Sequence, residues 1–149
     1  MISQTAEYAL RSVVCLASTP QTALTTEKIA KITKVPGSYL SKVLQALGKA
    51  GIVSSQRGLH GGFSLAKPAE ELSLLEVINA VDPLKHIDKC PLGLGQHGSN
   101  LCPLHKRLND SIKMIEKAYQ KSSIGDLLKE STLSKPLCET FENTQLGKR

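Results

Sequence analysis

Two short helical segments, separated by a sharp break and followed by a glycine-rich turn, constrain the fold of this chain most. Thr25 or Thr26 caps the first segment, EKIAKIT, in which apolar residues recur at helical spacing. The run KVPG ends it, and Pro36 opens a second helix that Gly51 terminates. The strand-like runs IVSSQR and FSLAK then flank GLHGG, whose glycines permit a tight connection. This pattern predicts a helix-turn-helix followed by a β-hairpin wing.

Helical periodicity extends on both sides of this unit. Residues 3–17 are a predicted helix capped by Ser3, and residues 73–82 are another that stops at Pro83. A long helix begins near Pro103 and carries one apolar seam. The seam consists of Leu104, Leu108, Ile112, Ile115 and Tyr119. Because an unpartnered seam would be a large exposed apolar patch, we expect it to pair with a second copy of the chain.

The predicted fold class is mainly α with a small β-hairpin wing. Residues 1–82 are expected to form a winged helix-turn-helix domain, and residues 83–102 a cysteine-containing loop rich in proline and glycine. Residues 103–134 are expected to form a long dimerisation helix and a short helix near IGDLLKE. A flexible tail is predicted over residues 135–149.

The charge balance of the chain is basic. Nineteen Lys and Arg against thirteen Asp and Glu give a formal net charge of +6 and a pI near 9.2. Such an excess attracts polyanions without naming one. The chain has only three Tyr, two Phe and no Trp. Proteins that bind single-stranded nucleic acid by base stacking need more aromatic residues than this. Duplex DNA is therefore the better match.

The sequence argues against secretion, membrane insertion and catalysis. Glu7 and Arg11 interrupt the stretch where a signal peptide needs its apolar region, and the longest apolar runs are short. We therefore predict a cytoplasmic protein. We also expect no enzyme, because no phosphate-binding glycine-rich loop, nucleophile elbow or catalytic carboxylate pair occurs.

The second helix of the helix-turn-helix presents a polar face. Its outward residues are Ser38, Tyr39, Ser41, Lys42, Gln45 and Lys49. Hydroxyls and Gln45 suit base edges in a major groove, whereas Lys42 and Lys49 suit phosphates. Arg57 and His60 at the wing tip are placed to meet a minor groove or the DNA backbone. A solvated polar face is the simpler alternative, because helix-turn-helix cores also bind proteins.

The segments EYALRSVVCLA, the SYL recognition helix, the wing RGLHGGF and the helix EVINAVD occur here in one order. Together they resemble the IscR/NsrR family of winged helix-turn-helix iron-sulfur transcription regulators. The resemblance implies a homodimer whose paired recognition helices meet successive major grooves of a palindromic operator, about 34 Å apart. It also implies a regulator, which we expect to be a repressor, that senses iron-sulfur, redox or nitric oxide status through a bound cluster.

Four potential metal ligands lie in or beside the predicted loop: Cys90, His97, Cys102 and His105. Thiolates with imidazoles suit zinc or an iron-sulfur cluster. The family resemblance favours iron, with Cys90, Cys102 and His105 at the positions of the first cysteine, the third cysteine and the trailing histidine. Gln96 stands where cluster-binding members carry their middle cysteine, and glutamine is a poor iron ligand.

Two thiolates favour a [2Fe-2S] cluster over a [4Fe-4S] cluster, because mixed Cys/His ligation of the smaller cluster has precedent. Some relatives use an acidic residue of the partner subunit at the position of Glu7, so the resemblance makes Glu7 a further ligand, with His97 as its substitute. Cys15 is expected to be a buried apolar residue. His86 is a weaker ligand candidate, and Cys138 lies in the predicted tail.

Alternatives stay open. The loop could hold zinc, or the chain could be a cluster-free member controlled by a partner protein, a metabolite or thiol oxidation. From a different class, it could be a metal-carrying redox or delivery protein that uses the winged fold for protein contacts.

Overall fold

Helix α1 (Gln4–Ala17) supplies much of the hydrophobic core. The computed structural model describes residues 2–97, 100–130, 134 and 136–137. Ser3 caps α1, because its hydroxyl accepts a hydrogen bond from the N–H of Ala6 at 3.2 Å. The predicted first helix and its cap are therefore confirmed.

Helices α2 (Thr26–Thr33) and α3 (Gly37–Lys49) form the predicted helix-turn-helix. The Thr25 hydroxyl caps α2 by accepting a backbone N–H three residues on, at 3.3 Å. Lys34 ends α2 in the left-handed conformation, with φ of 58°. Pro36 is the N-cap of α3, one position before the first helical residue. The turn between the helices is thus confined to residues 34–36.

Strands β1 (Val53–Gln56) and β2 (Gly62–Leu65) pair antiparallel along their whole length. Phe63 and Leu24 exchange backbone hydrogen bonds of 2.8 and 2.9 Å, which tie the hairpin to the segment before α2. Gly62 has φ of +148°, and a Cβ atom there would lie 2.5 Å from the Leu24 carbonyl oxygen, so only glycine fits. The predicted wing is confirmed, with strands shorter than the predicted runs.

Helices α4 (Leu74–Val81) and α6 (Ile124–Lys129) pack against α1 and complete the core. Each begins with a capping box formed by a serine and an acidic residue three positions later. Ile124 is fully buried, and its N–H donates to the Leu72 carbonyl at 2.8 Å. The short helix α6 therefore packs onto the winged helix-turn-helix. The predicted domain boundaries had grouped it with the long helix, in residues 103–134.

Helix α5 (Pro103–Lys121) is the predicted long helix, with proline at its first position. Its inner side carries the buried Asn109, whose Oδ1 accepts the N–H of Ile87 at 2.9 Å. Within the predicted seam, Leu104 and Leu108 are 63% and 48% exposed, and the other three residues are half-buried. The helix is thus anchored by polar contacts and presents apolar side chains to solvent.

The predicted loop over residues 83–102 is irregular in its described part, except for a short 3₁₀ turn at Gly95–His97. The predicted tail, residues 135–149, falls outside the described residues apart from positions 136 and 137. Across the portion of the chain that is described, no helix has the length and apolarity needed to cross a membrane.

Candidate nucleic-acid interface and cysteine loop

Helix α3 is amphipathic, with its polar side toward solvent. Its buried residues are Leu40, Val43, Leu44 and Leu47. The six predicted DNA-contacting residues of this helix are all exposed: Ser38, Tyr39, Ser41, Lys42, Gln45 and Lys49. Because the apolar side fixes the rotation of the helix, the polar side chains face outward as one set. The Ser41 hydroxyl donates to the Gly37 carbonyl at 3.1 Å, so it also has a partner within the helix.

Tyr39 is joined to α1 as well as exposed on α3. Its hydroxyl hydrogen-bonds the Thr5 hydroxyl. Its ring packs edge to face against Tyr8, with centroids 5.5 Å apart and an interplanar angle of 81°. Tyr39 keeps 38% of its surface exposed. The residue therefore positions α3 on α1 while leaving part of its ring available to a ligand.

The basic excess of the chain is confined to one segment. Between Glu27 and Glu70 the sequence contains no Asp or Glu and seven basic residues. These are Lys28, Lys31, Lys34, Lys42, Lys49, Arg57 and Lys67. The rest of the chain holds twelve Lys and Arg against thirteen Asp and Glu. Since this segment comprises α3, the hairpin and all of α2 beyond Glu27, the positive charge is concentrated on the helix-turn-helix and the wing.

The wing tip holds the two residues predicted to contact DNA and one exposed apolar residue that the sequence analysis did not single out. Arg57 and His60 are both exposed. Leu59 lies between them and is 97% exposed. It is the single apolar side chain between Gln56 and Phe63, and that contrast with a polar, glycine-rich turn was the signal that could have found it.

Cys90 and His97 lie beside each other in the loop. Hydrogen bonds from the backbone N–H groups of Leu94 and Leu92, together with the His97 side chain, lower the pKa of the Cys90 thiol. A lowered pKa favours the thiolate, which is the form that binds metals. The Nδ1 atom of His97 is buried without a hydrogen-bond partner in the described part of the chain. A buried, unpaired ring nitrogen is unfavourable unless it binds a ligand.

Cys102 and His105 form a second pair at the start of α5, with Sγ 3.3 Å from Nδ1. Among the residues the structure describes, no three His, Cys, Asp or Glu side chains come together as ligands of one ion. Each pair offers one sulfur and one ring nitrogen, and two protein donors per iron suffice for a [2Fe-2S] cluster. In the number and kind of donor atoms, the two pairs match the four ligands of a two-iron cluster. They do not fit a three-thiolate site, because Gln96 supplies no thiolate.

The Glu7 carboxylate forms an ion pair with Arg11, one turn later in the same helix. Its Oε1 accepts hydrogen bonds from Nε and a terminal nitrogen of Arg11, both at 2.7 Å. Arg11 also donates to the Thr33 carbonyl at 3.2 Å, so the pair connects α1 to the end of α2. No three-ligand group that includes Glu7 forms within the described chain.

Of the remaining candidate ligands, Cys15 is buried in the core and His86 is hydrogen-bonded to helix α5. Cys15 is fully buried, as predicted, and burial raises the pKa of its thiol to about 12. His86 Nε2 lies 2.9 Å from a Glu116 carboxylate oxygen, and Nδ1 lies 3.3 Å from Asn109 Oδ1. The hydrogen bond to Glu116 is the main cause of a raised pKa for His86. Both ring nitrogens are thus engaged, while Cys138 lies outside the described residues.

Nearly the whole described chain matches a known protein family. Residues 2–130 match the model of the Rrf2 family, described as "Iron-dependent Transcriptional regulator". A relative from Aquifex aeolicus (strain VF5), whose name describes an HTH-type transcriptional regulator, is 30% identical over 131 residues. That match covers 86% of this chain and 91% of the relative.

Solved structures share the architecture. One described as T. potens IscR is 22% identical, has a TM-score of 0.73, and is matched over 89% of this chain and 88% of its own. CymR (YrzC), the global cysteine regulator of B. subtilis, is 22% identical with a TM-score of 0.64, over 85% of this chain and 95% of its own. At these identities the likeness shows the fold, and the predicted fold class is confirmed.

Proposed function

Because the chain belongs to the Rrf2 family of transcriptional regulators, we propose that it is a homodimeric repressor that binds a palindromic operator. We further propose that it acts in the cytoplasm and senses iron-sulfur, redox or nitric oxide status through a [2Fe-2S] cluster. The exposed polar face of α3, set in a segment with seven basic and no acidic residues, carries the proposal.

The DNA contacts divide into two kinds. Gln45 and Ser38 are exposed on α3 and suit base edges, where hydrogen bonds discriminate sequence, as do Tyr39 and Ser41 if their hydroxyls exchange their present partners. Lys42 and Lys49 provide charges for phosphates, which position the protein without reading sequence. Arg57 and His60 extend this surface along the wing toward the adjacent minor groove.

Dimerisation through α5 is supported by the way that helix is oriented. Its inner side is held by Asn109 and by Glu116, which contact Ile87 and His86. Its outer side leaves Leu104 and Leu108 exposed. A second copy covering this outer side would remove apolar surface from water, at roughly 25 cal/mol for each Å² buried. The same packing would place two recognition helices on one operator.

We assign the cluster to Cys90, Cys102 and His105, with one further ligand. The resemblance gives that position to Glu7 of the partner subunit. The buried Nδ1 of His97, which has no hydrogen-bond partner among the described residues, supports His97 instead, because Glu7 is already bound by Arg11. When bound, the cluster would supply one-electron redox chemistry and reactivity toward nitric oxide.

Contacts between the loop and α5 offer a route from ligand state to DNA binding. His86 and Ile87, at the start of the loop, are hydrogen-bonded to Glu116 and Asn109 on α5. The other end of the loop runs directly into that helix at Cys102. A change in the loop would therefore move the dimerisation helix and alter the spacing of the two recognition helices. Such a device couples two sites through one shared element.

One alternative is also supported by an observation. Gln96 in place of a cysteine, with no three-ligand group in the described chain, favours a cluster-free regulator of the same family. Anaerobic purification separates the two. Coloured protein with near-stoichiometric iron and sulfide supports the cluster, whereas colourless, iron-free protein supports the alternative.

The regulator assignment is tested by equilibrium binding of the purified protein to duplexes selected from its own genome. The expected result is a preference of at least a thousandfold for one palindrome over random duplex. Affinity should also fall with salt, with a logarithmic slope of about −0.9 per phosphate contact. Equal affinity for every duplex would overturn the proposal.

A further inference from the structure

Leu59 is a solvent-exposed apolar residue at the tip of the wing. It is the most exposed of the large hydrophobic residues in the described chain, at 97%. An isolated exposed leucine is ordinarily uninformative. This one differs because backbone contacts close the turn that carries it and because its neighbours in the tip are basic or neutral.

Backbone contacts close the turn at the wing tip. Gly58 has φ of +106° and accepts the N–H of Gly61 at 3.0 Å, which closes the turn around Leu59. A Cβ atom on Gly61 would lie 2.6 Å from the Gln56 carbonyl oxygen, so the two arms of the tip touch. The hairpin is anchored at its other end by the Leu24–Phe63 hydrogen bonds. Leu59 therefore projects into solvent from a closed turn.

The surface around Leu59 favours a polyanion as its partner. Arg57 and His60 flank it, and no acidic residue occurs from position 28 to position 69. A hydrophobic protein partner would need a contiguous apolar patch, yet Leu59 is the only apolar side chain of the tip. A DNA minor groove matches both properties, because phosphates line its rims and apolar side chains such as leucine can wedge between its base steps.

Resting on the DNA-binding function proposed above, we propose that Leu59 enters the minor groove beside each half-site as an apolar wedge and selects a deformable base step there. Pyrimidine–purine steps such as TA unstack and kink most easily. The recognition helix and the wing would then read two different properties of the operator: α3 the base edges, Leu59 the deformability of a flanking step.

The test uses a randomised duplex pool, selected by the wild-type protein and, in parallel, by Leu59→Ala, Leu59→Met and Lys42→Ala. Wild type and Leu59→Met should enrich a pyrimidine–purine step at a fixed distance from the α3 half-site. Leu59→Ala should keep the half-site and lose that step. Lys42→Ala, which removes a phosphate contact, should bind more weakly and keep both.

A second measurement uses the duplex that the wild type selects, with 2-aminopurine placed at the flanking step. Binding of the wild type should raise its fluorescence through unstacking, and binding of Leu59→Ala should not. Replacing the step by AA should weaken the wild type about tenfold and Leu59→Ala less than twofold.

The outcomes separate the two proposals. Should Leu59→Ala select the same flanking step and give the same fluorescence change, the wedge is refuted while the regulator function stands, and Leu59 becomes a candidate protein contact. If the wild type enriches no duplex at all, the DNA-binding function fails and the wedge fails with it.

Discussion

Gln45 and Lys42 lie one turn apart on the exposed side of α3 but are expected to contribute differently to DNA binding. Lys42→Ala should weaken binding to all duplexes alike and reduce the magnitude of the salt slope by about one, because it removes a phosphate contact. Gln45→Ala should reduce discrimination at one base pair by about 1–3 kcal/mol. Titration of each variant against operator and single-substituted duplexes measures both effects. Equal losses for Gln45→Ala on every sequence would refute its assignment as a base reader.

The last ligand of the proposed cluster gives a second prediction at the residue scale. His97→Ala should change the visible spectrum of anaerobically purified protein, because the His97 side chain hydrogen-bonds Cys90 and its Nδ1 has no partner within the described chain. Cys90→Ala and Cys102→Ala should abolish that spectrum. Cys15→Ala serves as the matched control and should leave it unchanged, because Cys15 is buried in the core. A spectrum altered by Glu7→Gln and unaffected by His97→Ala would return the position to Glu7.

At this scale, the sequence predicts those features of a residue that depend on its near neighbours in the chain. Helical periodicity places side chains on a face, so the exposed set of α3 and the burial of Cys15 were predictable. Contacts between distant segments have no local signal. The bond between Tyr39 and Thr5, and the ion pair of His86 with Glu116, depend on how the helices pack.

The polar contact between the loop and α5 gives the prediction at element scale. The raised pKa of His86, caused first by its hydrogen bond to Glu116, means that folding favours the protonated imidazole. Its stabilising contribution is therefore fully present below the unfolded-state pKa and is lost as the pH rises through the higher folded-state pKa. His86→Gln should be less stable than wild type at low pH, with the difference shrinking toward high pH.

Urea unfolding at a series of pH values measures this effect, with Glu116→Gln as the companion variant. Both substitutions remove the same ion pair, so both should flatten the pH dependence in the same range. Parallel curves for wild type and His86→Gln at every pH would show that the contact does not bias protonation.

The elements themselves were largely predictable, because caps and breakers act within a few residues. Ser3, Thr25 and Pro103 stand where the corresponding helices begin. The docking of α6 was not predictable, since it depends on the hydrogen bond from the N–H of Ile124 to Leu72, a residue far earlier in the chain. Only the assembled core brings those two backbones together.

At the scale of the whole molecule, the exposed side of α5 predicts the assembly. Leu108→Glu should shift the protein from dimer to monomer and abolish tight operator binding, because a charge would be buried in an apolar interface. Gln120→Glu adds the same charge elsewhere on α5 at an exposed position and should remain dimeric. Sedimentation equilibrium distinguishes the two states. A Leu108→Glu variant that stays dimeric would move the interface away from this seam.

The fold class was accessible from sequence at this scale, because a helix-turn-helix and its wing are contiguous in the chain. The homodimer and the cluster stay predictions, since a homodimer depends on contacts beyond one polypeptide and a cluster on side chains that only a long loop would bring together. Gln96 shows the limit of resemblance, because one missing thiolate leaves both the cluster and a cluster-free regulator open.

In the proposed regulator, two copies of α3, presented by one dimer, read successive major grooves of the same duplex. Hydroxyl-radical footprinting of the selected operator, combined with methylation protection of guanine N7, tests it directly. We expect two symmetry-related protected patches with centres about 10–10.5 base pairs apart, both lost in Leu108→Glu. A single protected patch, or protection that is unchanged in the Leu108→Glu variant, would contradict it.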